Sequence, residues 1–109
     1  TIDYNFSKKY KKLHGNSYAA FETKSVTWNE IEKNYLKFPK KIELLKIDVE
    51  GLDFKILKSI NLLKIKPNLI MIEAPEFEKT IKKKIINFLK LKNFKLIYDN
   101  NLNLIFKRN

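Results

Sequence analysis

The chain has 109 residues, enough for one hydrophobic core that buries roughly two-thirds of the surface its unfolded form exposes. It has no cysteine and one histidine, His14, which excludes a disulfide framework, a thiolate metal site and a histidine cluster. The net charge of +11 would suit a nucleic-acid partner or an anionic membrane, but the lysines are spread over the whole chain and Arg108 is the only arginine, whereas phosphate readers favour arginine's bidentate fork.

The apolar fraction of 44% is ordinary for a globular protein. Apolar runs such as Leu69-Ile70-Met71-Ile72 fall far short of a bilayer span, so no membrane helix is expected. The first residue is Thr1 and no charged-then-apolar leader precedes a cleavage site, so the start reads as a cut and a cytoplasmic location is expected.

In chain order, residues 1–16 show no period, crowd Lys8, Lys9, Lys11 and Lys12 around Tyr10, and close on Gly15-Asn16; they read as a loop or a frayed end. Ser17 to Val26 is a strand candidate with broken alternation. Thr27-Trp28-Asn29-Glu30 has the form of a capping box, placing Trp28, Ile31 and Tyr35 on one helical face, with Trp28 and Tyr35 as core anchors. Pro39 predicts an end near Phe38.

Glu43 to Val49 reads as a buried strand ending in carboxylates. Gly51 then opens a helix with Leu52, Ile56, Leu57, Ile60 and Leu63 at helical spacing. Pro67-Asn68 punctuates the return, and Leu69 to Ile72 forms a second continuously apolar strand ending at Glu73. The unit is β-α-β, which predicts parallel strands in a sheet covered on both faces.

An amphipathic helix from about Glu78 to Leu91 turns Ile81, Ile85, Phe88 and Leu89 inward. Its lysines read as a solvated exterior rather than a membrane-binding face. Phe94, Leu96 and Tyr98 alternate, Asp99-Asn100-Asn101 supplies turn residues, and Leu102, Leu104 and Phe106 alternate again, giving a closing antiparallel hairpin.

In open α/β sheets ligands bind beyond the carboxyl ends of the strands, the position expected for Asp48, Glu50 and Glu73. Acids there serve as a general base, as acceptors for a substrate hydroxyl or as ligands for a hard cation. The same acids also suit a helix N-terminus, where the macrodipole stabilises each carboxylate by about 0.3 to 1 kcal/mol. Lys46 faces a neighbouring layer or pairs with an acid, and no placed partner gives His14, Ser17, Ser25 or Ser59 a catalytic context.

The string Leu44-Leu45-Lys46-Ile47-Asp48-Val49-Glu50-Gly51 resembles the hallmark segment of FkbM-type S-adenosylmethionine-dependent methyltransferases. Val26 to Ile31 resembles the family's upstream segment, with Trp28 and Asn29 in place of its usual Leu and Asp. Pro67-Asn68-Leu69-Ile70-Met71-Ile72-Glu73 resembles its following strand. The likeness runs over roughly residues 22 to 107 and includes the closing helix and hairpin.

The resemblance implies an α/β fold, the C-terminal part of a Rossmann-like methyltransferase sheet, with residues 1–109 as a single partial domain. It implies O-methylation of a small-molecule or glycan-like acceptor, with Asp48 and Glu50 catalytic, Asp48 also touching S-adenosylmethionine, and Glu73 and Asn29 on the substrate. No resident metal is expected. The family's Gly-rich cofactor loop is expected upstream of Thr1, because Gly15 and Gly51 cannot form one, so these residues alone are expected to be inactive and to bind the donor weakly or not at all. The strand ending at Asp48 is expected to present an unpaired edge. Rival readings are a basic nucleic-acid-binding module and a noncatalytic interaction remnant of the fold.

Overall fold

The computed structural model describes residues 24–36, 42–75 and 77–109. The expected loop at 1–16 lies outside them, as does most of the expected strand at 17–26. Residues 24–26 have no regular structure, and Val26 is exposed.

The capping box forms as the sequence predicts. The Thr27 hydroxyl accepts from the Glu30 amide at 3.2 Å, and the Glu30 carboxylate accepts from the Thr27 amide at 2.7 Å. Helix α1 (Trp28–Asn34) follows, with Trp28 packed against the core. Tyr35 is not a core anchor: it is the C-cap, its backbone leaves the helix at φ −124°, and its side chain is 74% exposed. The helix thus ends ahead of Phe38, which lies outside the described residues.

Strand β1 (Leu44–Ile47) is shorter than expected and only Ile47 on it is buried. The sheet order explains this, because among the described residues β1 is an edge strand. Its neighbour β2 (Leu69–Glu73) runs parallel to it, with Leu44 opposite Leu69 and Ile47 opposite Ile72. The β-α-β unit is therefore present.

The connection between them holds two helices where the sequence suggests one. Helix α2 (Asp53–Ser59) ends where Ile60 turns to extended backbone, and Asn61 caps α3 (Leu62–Ile65) by accepting from the Lys64 amide at 3.1 Å. The break changes the helical phase. Leu62 and Ile65 take inward positions, while Leu63, expected inside, is exposed. Leu52, also expected inside, is the N-cap residue ahead of α2 and is exposed too.

Helix α4 (Lys79–Leu91) buries Ile85 and Leu89 fully and half-buries Ile81 and Phe88, as its spacing predicts. The hairpin of β3 (Phe94–Asp99) and β4 (Asn103–Arg108) inserts β4 antiparallel beside β2, giving the order β1-β2-β4-β3 in a mixed sheet. Its turn uses Asn101 at φ 68°, with the Asn100 side chain accepting from the Leu102 and Asn103 amides. A register shift between Leu96 and Tyr98 breaks the expected alternation, and Tyr98 is exposed.

Burial alternates along the central strands. Ile70, Ile72, Leu104 and Phe106 are buried on one face with Leu57, Ile65, Ile85 and Leu89, whereas Leu69, Met71 and Ile105 are only half-buried. The expectation of a sheet covered on both faces is thus corrected among the described residues: one face carries the core, as period-two geometry allows. No described helix is long and apolar enough to cross a membrane. The result is a small α/β domain with a four-stranded mixed sheet.

Candidate functional site

Because Ile47 lies opposite Ile72 in a parallel pair, Asp48, the first residue past β1, comes beside Glu73, the last residue of β2, at the carboxyl end of both strands. Glu50 joins them from the loop after β1. One carboxylate oxygen from each of Asp48, Glu50 and Glu73 lies within 4.8 Å of the other two. Three acids that the sequence places at one strand end are therefore brought together by the fold.

The loop that does this is conformationally costly. Glu50 has φ 52° and Gly51 φ 97°, two successive left-handed residues, and a side-chain-bearing residue in that region costs about 1 to 2 kcal/mol. Asp53 offsets the cost. Asp53 is 5% exposed, and its carboxylate accepts from the Val49 amide at 3.2 Å and from the Gly51 amide at 3.1 Å. Sequence reasoning overlooks Asp53, although an acid in the first turn of a helix, able to reach back to loop amides, is a recognisable signal.

Electrostatics sets Glu73 apart. Burial first, then the charges of Glu50, Asp48, Asp53 and Glu78, hold its carboxyl above the ordinary carboxylate range. Lys46 takes the ion-pairing role left open for it: its Nζ is 2.9 Å from Asp48 Oδ2, in a pair with both side chains about half exposed. Such a pair adds little stability but orients Asp48.

Asn29 comes from a different element, α1. It is exposed in the first turn of α1, and its side chain makes no hydrogen bond to the three acids.

Chemically, converging carboxylates can accept hydrogen bonds from hydroxyl groups, take a proton from one, or attract a cationic ligand. Their oxygens also suit a hard divalent cation, although exposed acids commonly cluster without one.

Comparison with curated proteins and with solved structures gives no match. A family model, Methyltransferase FkbM domain, matches residues 3–96, a span that contains β1, β2 and all three acids of the cluster. That match covers most of the chain, and the chain belongs to the FkbM methyltransferase family.

Proposed function

We propose that the protein takes part in S-adenosylmethionine-dependent methyl transfer to a hydroxyl oxygen of a small-molecule or glycan-like acceptor. The observation that carries this reading is the placement of Asp48, within the family segment, at the carboxyl end of a parallel strand beside Glu50 and Glu73.

The donor set fits such a cofactor, since carboxylates attract a sulfonium cation and accept from ribose hydroxyls. When bound, S-adenosylmethionine supplies an electrophilic methyl whose bond to sulfur breaks with its electron pair remaining on sulfur. The residues of this chain do the rest. Asp48 orients the acceptor hydroxyl and takes its proton as the new carbon–oxygen bond forms. Glu50 and Glu73 hold acceptor or donor hydroxyls, and Asn29 contributes on the substrate side. Holding the reactants in line supplies much of the acceleration.

The four-stranded sheet is, on this reading, the C-terminal part of a Rossmann-like methyltransferase sheet, a single partial domain. With Gly15 and Gly51 as its two glycines, the chain forms no G-x-G cradle. These residues by themselves therefore bind the donor weakly and are inactive alone.

The test suits weak binding. S-adenosylhomocysteine is titrated to millimolar concentration while backbone amide resonances are followed by NMR. Shifts centred on residues 48–51 and 73–75 are expected; shifts elsewhere, or none, would overturn the assignment.

A further inference from the structure

The parallel ladder holds β1 only as far as Ile47, whose partner is Ile72. Beyond it no strand pairing fixes Asp48, Val49, Glu50 or Gly51, yet the carboxylates of Asp48 and Glu50 sit within 4.8 Å of that of Glu73. Like charges so close repel, and Glu50 also occupies a left-handed conformation. Left to itself, the loop would open and separate the acids.

Lys46 pairs with Asp48 at the half-exposed start of the loop, and one buried side chain opposes the opening beyond it. Asp53 begins α2, is buried, and grips the loop at two alternate amides, Val49 and Gly51, on either side of Glu50. Bonding the amides of the residues before and after Glu50 restrains its backbone and with it the direction of its side chain. A carboxylate acceptor makes both bonds charge-assisted. Since Asp53 is itself anchored in a helix whose Leu57 is fully buried, the loop is referenced to the core rather than to solvent.

We propose that Asp53 is the positioning residue of this site: by binding the Val49 and Gly51 amides it holds Asp48 and Glu50 facing Glu73. It touches neither donor nor acceptor. The chemical purpose of the arrangement rests on the methyl-transfer reading; the geometry does not.

The experiment reads that geometry without any ligand, so its outcome is separate from whether S-adenosylhomocysteine binds. The titration of the Glu73 side-chain carboxyl is followed by NMR in the wild type, Glu50→Gln, Asp53→Asn and the double variant. Glu50→Gln is expected to lower the Glu73 midpoint when Asp53 is present, because the Glu50 charge is one cause of its elevation. In the Asp53→Asn background the same substitution should move the midpoint by less than half as much, since Glu50 has swung away. Direct loss of the Asp53 charge is common to both arms and cancels in the comparison. An undiminished effect of Glu50 would overturn the proposal.

Amide exchange in the wild-type chain keeps the question decidable if Asp53→Asn fails to fold. Val49 and Gly51 should exchange at least tenfold more slowly than the Glu50 amide between them. Equal exchange at the three positions would also overturn it.

Discussion

The Glu32 carboxylate accepts from Lys64 Nζ at 2.6 Å and thereby ties α1 to α3, two short helices that the chain separates by β1 and α2. The same carboxylate accepts from the Trp28 indole N–H. Glu32 is buried while Lys64 is half exposed, so one end of the pair is shielded from solvent.

Replacing Glu32 by Gln should destabilise the fold by about 1 to 3 kcal/mol, the usual cost of disturbing a hydrogen bond to a buried charged group. The Lys64 contact, with Trp28 adding to it, holds the Glu32 carboxyl below its ordinary range. A lowered folded-state value means the contribution is present above the unfolded-state value and is lost as pH falls through the folded one. Urea denaturation over the acid range should show that loss in the wild type and a flatter profile in the variant.

Glu73 predicts the opposite sign. Its carboxyl is raised by burial and by Glu50, Asp48, Asp53 and Glu78, so the stability tied to its neutral form is full below the unfolded value and is lost as pH rises through the folded one. Glu73→Gln should therefore raise the melting temperature by a few degrees at neutral pH and leave it nearly unchanged well below the ordinary carboxylate range. Thermal scans at the two pH values check this.

Asp48→Asn, in a protein with a complete donor site, should lower turnover far more than stability, since Asp48 is exposed and, among the described residues, its ion pair is with half-exposed Lys46. Glu50→Gln is the companion. Turnover that survives Asp48→Asn would remove Asp48 from the proton-transfer role.

Gly51→Ala should cost about 1 to 2 kcal/mol through backbone strain alone. The glycine has φ 97°, and an added Cβ would meet nothing within 4 Å. Chemical denaturation should show that loss without loss of the sheet's circular dichroism signal.

Phe106→Ala should cost about 3 to 5 kcal/mol, because Phe106 is 1% exposed and sits on central strand β4. For a small domain, whose total stability is on the order of 5 to 15 kcal/mol, this is a large share. A sharply lowered denaturation midpoint is the expected reading.

Local chemistry made much of the fold legible. The capping box at Thr27, the apolar run of β2, the stripe of α4 and the Asp-Asn-Asn turn each announce themselves within a few residues, since hydrogen-bond geometry and side-chain period act over that range. The places where the sequence misled are those where a competing partner decided. Asn61 capped a new helix and broke the expected one, Tyr35 fell past a helix end, and Ile97 was bulged out of the hairpin register.

By itself the sequence determined the four strands, helix α4 and the family segment around Asp48, because each is written in contiguous residues. Only the tertiary structure decided that β4 would insert beside β2 and that the carboxylates of Glu73, Asp48 and Glu50 would meet. Strand pairing and charge proximity depend on residues far apart in the chain, whose approach is fixed by burial of the shared core and not by any local preference.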